Sequence, residues 1–98
     1  MNRIINVGTI VGRYIAAIEN GIVVRISSPK SQDVPVILGD NLKARVQEYL
    51  QEDDLVGIKY NIEMDDNFNV HLVADKLTFL SHKETGETSE GGDKSGNI

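Results

Sequence analysis

An all-β domain with one short helix, its strands closed into a small Greek-key barrel, is the fold this sequence predicts. Three observations carry that expectation. Apolar and polar residues alternate over short stretches, most cleanly where Val56, Ile58, Tyr60 and Ile62 face one way and Lys59, Asn61 and Glu63 the other. Asn20-Gly21 stands between two apolar runs, a strong hairpin signal. Only Leu42, Val46, Tyr49 and Leu50 repeat at helical spacing.

The elements follow in order. "RIINVGTIVGRY" is rich in Ile and Val, with Ile5, Val7 and Thr9 on one parity and Ile4 and Ile10 on the other; Gly8 and Gly12 mark a strand that bends or bulges. Ile22 to Ser28 returns from the Asn-Gly turn as a second strand. "SPKSQD" is a loop by its Pro, Ser and Asp content, and "VPVILG" is a short third strand in which Pro35 belongs at an edge or among the first residues. Asp40 or Asn41 can cap the helix, which ends near "QEDD". "DLVGIKYNIE" is the fourth strand, "MDDNF" a turn, and Asn69 to Leu80 the last strand.

That last strand breaks phase. Val70, Leu72 and Ala74 share one parity, but Leu77 and Phe79 fall on the other. One extra residue at Asp75-Lys76, a β-bulge, returns both to the interior, and small closed barrels turn their corners at such bulges and at glycines. The order β-β-β-α-β-β is that of a five-stranded OB-fold Greek-key barrel, whose helix plugs the passage between the third and fourth strands. The simpler alternative is a meander with one helix packed on it.

Composition bounds the rest. The 98 residues fit one small domain, expected over residues 1–80. Ser81 to Ile98 holds one apolar residue among Gly, Ser, Thr and charges, too little to offset its ordering entropy, and is expected to be a disordered polar tail. No apolar run approaches the roughly 20 residues that span a bilayer, and "MNRIINVG" is too polar for a secretory signal, so a cytoplasmic protein without a membrane partner is expected.

The chain has no Cys, and His71 and His82 stand in no ligand spacing, which leaves no basis for disulfides, thiol chemistry or a zinc site. The carboxylate pairs in "EDD" and "MDD" read as turn residues. No phosphate-cradling Gly loop or Ser-His-acid arrangement is present. We therefore expect no catalytic residue, no metal and no cofactor: the protein is not an enzyme. The net charge of −5 argues against bulk attraction to nucleic acid, though a local basic stripe remains compatible with it.

Several pieces resemble the bacterial single-stranded DNA-binding protein (SSB-like) family. "MNRIINVGTIVG" is similar to that family's opening strand, "NGIVV" to its Asn-Gly turn and second strand, "VILGDNLKARVQEYLQEDDLVGIKYNI" to its third strand, helix and fourth strand, and "VADKLTFL" to its last strand. The resemblance covers residues 1–80 in order, with shortened loops. It implies an OB fold, assembly into a homodimer or homotetramer, and sequence-tolerant binding of single-stranded DNA.

Departures from the family narrow the candidate site. Single strands are held by aromatic platforms on a basic groove, yet this chain has no Trp and five other aromatics. The family's aromatic before the Gly of the third strand is Leu38 here, Tyr60 replaces a small residue of the fourth strand, and the long basic hairpin after the second strand is reduced to "SPKSQD". Phe79, Tyr49 and Tyr60 sit at core periodicities; Tyr14 and Phe68 have no evident core partner and are the stacking candidates. Arg3, Arg13, Arg25, Lys30 and Lys59 are the candidate phosphate contacts.

Two functions are compatible with this. The first is non-catalytic, weak binding of single-stranded DNA in replication or repair, through Arg3, Arg13, Tyr14, Arg25, Lys30, Lys59 and Phe68. The second is an OB-fold protein-interaction module that recruits replication or repair proteins and has lost most DNA affinity.

Overall fold

The first strand, β1 (Arg3–Ile18), is long enough to serve two neighbours in succession. Its first part pairs antiparallel with β4 (Leu55–Met64), from Arg3 opposite Met64 to Arg13 opposite Leu55. Its last part pairs with β2 (Gly21–Ile26), from Arg13 opposite Arg25 to Ile18 opposite Gly21. β3 (Gln32–Ile37) continues from β2, and β5 (Val70–Ser81) from β4. A parallel contact between Ile37 and Val73 joins β3 to β5 and closes the sheet. The computed structural model describes residues 2–27, 29–82 and 96–97. It is a five-stranded OB-fold barrel in the order expected.

The strand pattern explains the closure. Val56 and Ile58 on β4, Ile22 and Val24 on β2, and Leu77 on β5 are fully or almost fully buried. Each such side chain contributes roughly 1.5–3 kcal/mol by leaving water. Pro35 lies on β3, which has only β2 as an antiparallel partner, so the donor it lacks falls on a strand that is an edge for most of its length.

The bulge on β5 is present. Lys59 faces Lys76 but Tyr60 faces Ala74, so Asp75 is the extra residue. Ala74 and Leu77 are both buried, and Phe79 packs against the same core. A second shift skips Leu80, between Val56 opposite Phe79 and Leu55 opposite Ser81.

The helix α1 (Asp40–Tyr49) places Val46 in the core, followed by buried Leu50 at its C-cap. Two expectations about it are corrected. The N-cap is Gly39, with no side-chain cap, rather than Asp40 or Asn41; both already lie inside the helix. Tyr49 is 60% exposed and not part of the core. It stands about 100° around the axis from Leu50, which takes the core position at the end of the stripe.

The turn between α1 and β4 is strapped to β1. Tyr14 donates its backbone N–H to Asp54 O (2.8 Å) and accepts Asp53 N–H on its carbonyl (2.7 Å). Asp54 is buried, yet its carboxylate accepts Gln51 N–H (2.9 Å) and meets His82 Nδ1 (2.9 Å), so its charge is not stranded. This anchors the end of β5. Beyond it, Gly96–Asn97 pairs as a short strand, β6, with Thr78 and Phe79. The rest of the expected tail, residues 83–95 and 98, lies outside the described residues.

Candidate nucleic-acid interface

Inward and outward faces follow from the register. Residues directly opposite one another on neighbouring strands share a face, so Val56, Ile58 and their partners line the interior while Lys59 and its partners face out. One outward row is Thr9, Lys59 and Lys76; another is Asp33, Arg25, Arg13 and Leu55. The two rows are four residues apart along β1, about 13 Å at strand rise. Strands β1, β2 and β4 thus present Arg13, Arg25 and Lys59 on one face.

Their electrostatic states differ. Arg25 forms a forked ion pair with Asp33, Nε to Oδ1 at 2.7 Å and Nη2 to Oδ2 at 3.1 Å. The hydrogen bond to Asp33 raises the guanidinium's pKa and holds the Asp33 carboxyl below the ordinary aspartate range, with Glu52 and Asp53 adding to the field at Arg25. Arg13 donates through Nη1 to the Asp53 carbonyl (3.0 Å). Lys59 and Lys76 are exposed, face each other, and have no ion-pair partner among the described residues.

The remaining candidates lie elsewhere. Lys30 is exposed in the β2–β3 connection. Arg3 is exposed opposite Met64, at the end of the sheet that leads into the β4–β5 hairpin. Phe68 lies in that hairpin, 75% exposed, with a left-handed backbone of φ 66°. A bulky residue in that region costs roughly 1–2 kcal/mol, a strain that commonly marks functional positions. Asp65 builds the turn under it: Oδ1 accepts Asn67 and Asn69 N–H, both at 2.9 Å, and Oδ2 meets His71 Nε2 at 3.2 Å. These bonds, Asn69 first, hold the Asp65 carboxyl low.

Tyr14 departs from the expected arrangement. It lies opposite Val24, on the inward face, partly buried against the core cluster, and desolvation by that burial raises its phenol pKa. Its partners come from β2 and the core; the signal within β1 was its shared parity with Ile10, which also packs against that core. Tyr60 is inward as expected, with its ring over Gly8.

Asp33 is the site residue that sequence reasoning missed, because its role depends on the β2–β3 register. Lys76 carried a signal, its outward parity, but gained its place in a row only through the bulge. Among the described residues no group of three or more His, Asp or Glu side chains could hold a metal ion. Among the described residues, no helix is long and apolar enough to cross a membrane.

The chain matches no protein-family profile and no curated protein sequence. Among solved structures it is similar to the mitochondrial single-stranded DNA binding protein Rim1 of S. cerevisiae. One crystal form superposes with a TM-score of 0.65 at 13% identity, covering 79% of this chain and 97% of Rim1. A second form gives 0.62 at 13% identity, covering 80% and 97%. At that identity the likeness establishes the fold alone, an OB barrel.

Proposed function

We propose that this chain is a non-catalytic, sequence-tolerant single-stranded DNA-binding protein that works as a homodimer or homotetramer. The observation that carries the reading is the exposed, strained Phe68 on a pre-built hairpin, with Arg3 at the same end of an OB barrel whose solved neighbour is a single-stranded DNA binding protein. A base stacked on Phe68 and phosphates near Arg3, Lys30 and the outward basic rows form a small platform, which makes the binding weak. Fluorescence anisotropy with an oligo-dT across a salt series tests it. Affinity that falls steeply with salt supports the reading, and no binding at low salt rejects it.

Self-association has its own support. Ile4, Val7 and Val11 share the outward face and are each more than half exposed, and residues 3–12 of β1 pair on one side only among the described residues. An apolar face beside an open strand edge is complementary to a second copy of itself.

The alternative is a protein-interaction module for replication or repair. It is favoured by the charge pattern, since Asp33, Glu52 and Asp53 surround Arg25 and leave that row close to neutral. Recovery of a partner that survives nuclease treatment, together with absence of oligo-dT binding, would support it.

A further inference from the structure

Arg13 and Arg25 lie directly opposite each other on β1 and β2, on the outward face. Two like charges in that position repel unless an anion lies beside them. Asp33, opposite Arg25 on β3, supplies that anion through two parallel N–H···O bonds, 2.7 and 3.1 Å long. Arg13 has a neutral acceptor, the Asp53 carbonyl. Across the sheet the row reads carboxylate, guanidinium, guanidinium.

A phosphodiester makes the same forked pair with a guanidinium that a carboxylate makes. We propose that Asp33 is an in-chain competitor for backbone phosphate: it holds Arg25 in the geometry that a phosphate needs and is displaced when a strand crosses the Arg25–Arg13 row. The inference rests on the nucleic-acid reading above and adds a regulator to it. Displacement is inexpensive, because both side chains are about half exposed, 52% for Arg25 and 46% for Asp33, and exposed pairs are weak. The incoming phosphate also gains what Asp33 lacks, a position between two guanidinium groups and not beside one. Asp33 thereby raises the local charge density a ligand must bring, which favours a polyanion over a single phosphate ion.

The test is a double-mutant cycle read by anisotropy with an oligo-dT, on the full chain, over a salt series. Asp33→Asn keeps the shape of the side chain and removes the competing charge. It is expected to tighten binding about three- to fivefold and to steepen the salt dependence by up to roughly 0.7, one phosphate's share for a single strand. In the Arg25→Ala background the same change is expected to do nothing. Asp33→Ser is expected to match Asp33→Asn.

Two results overturn the inference while leaving the nucleic-acid reading intact. One is a wild-type protein that binds and an Asp33→Asn protein that binds identically. The other is a gain that persists in the Arg25→Ala background, which marks a general charge effect. If neither the wild type nor the Asp33 variants bind at low salt, the nucleic-acid reading itself fails, and the competitor role with it.

Discussion

Ala74 and Leu77 on β5 both point into the barrel although two residues separate them, because Asp75 is looped out of the ladder with β4. Side chains in a regular strand alternate, so removing one residue here would move Leu77 and Phe79 to the outer face. Deleting Asp75 is therefore expected to cost more than about 3 kcal/mol, whereas Asp75→Ala, exposed and kept in place, stays within roughly 0.5 kcal/mol. Urea unfolding of the two variants checks this; equal stabilities would refute the bulge's role.

That bulge was legible because parity is a local signal: the phase slip between Ala74 and Leu77 is written in ten consecutive residues. The strand order and the hairpin between β1 and β2 were legible for the same reason, although the turn falls one residue earlier than Asn20-Gly21, at Glu19-Asn20, with Gly21 already paired to Ile18. Long-range partners were not. Tyr14 follows Arg13 at what reads as the end of the first strand, and the β1–β2 register shows it meeting Val24 and the core. Arg25 read as a free cation until β3 brought Asp33 beside it. Tyr49 was misplaced because helical spacing gives a stripe but not the point at which the barrel stops covering it.

Glycine positions differ in what surrounds them. A Cβ on Gly21 would lie 2.9 Å from Ile37 Cα and overlap Val36 O, all backbone of β3, which cannot move without opening the sheet. A Cβ on Gly8 would meet the Tyr60 phenol instead, 2.7 Å from Cζ, and the tip of a side chain can tilt away. Gly21→Ala is expected to destabilise by about 3 kcal/mol or more and Gly8→Ala by about 1 kcal/mol. In a Tyr60→Leu background most of the Gly8→Ala cost should vanish. Thermal unfolding of the single and double variants measures the coupling.

Acid should loosen the hairpin and the β2–β3 pair. Asp65 and Asp33 both titrate below the ordinary aspartate value, Asp65 through backbone and His71 hydrogen bonds and Asp33 through Arg25. For a depressed pKa the stabilisation is present above the unfolded-state value and is lost as pH falls through the folded-state value. The unfolding midpoint should therefore drop below about pH 4, and the drop should be shallower in Asp65→Ala, which lacks one of the two groups. A drop of unchanged size in that variant would remove Asp65 from the account.

Phe68 separates binding from stability. It buries little and holds a backbone conformation that glycine adopts freely, so Phe68→Gly should leave stability within about 1 kcal/mol of wild type, relief of strain offsetting the greater freedom of the unfolded chain. Loss of a stacked base should weaken oligo-dT binding by roughly 1–3 kcal/mol. The salt dependence should remain, because no phosphate contact is removed. An unchanged affinity would exclude Phe68 as the platform.

Self-association should depend on the outward face of β1. Val7 is 57% exposed and lies between Ile4 and Val11 on that face, opposite Asn61. Val7→Lys puts a charge there without touching the core, so a single subunit should keep its fold with a change of at most about 1 kcal/mol, the span of strand preferences. In a symmetric assembly every copy carries the new charge, and the same patch meets itself across a two-fold axis, so two lysines would confront each other. The dissociation constant should rise at least about tenfold, seen as a shift toward single-chain mass in light scattering at micromolar protein. High salt should recover part of the loss by screening the lysines, whereas Asn61→Ala, its neighbour on β4, should have a smaller effect. Wild-type protein that runs as a single chain at all concentrations would place the apolar face outside any self-contact.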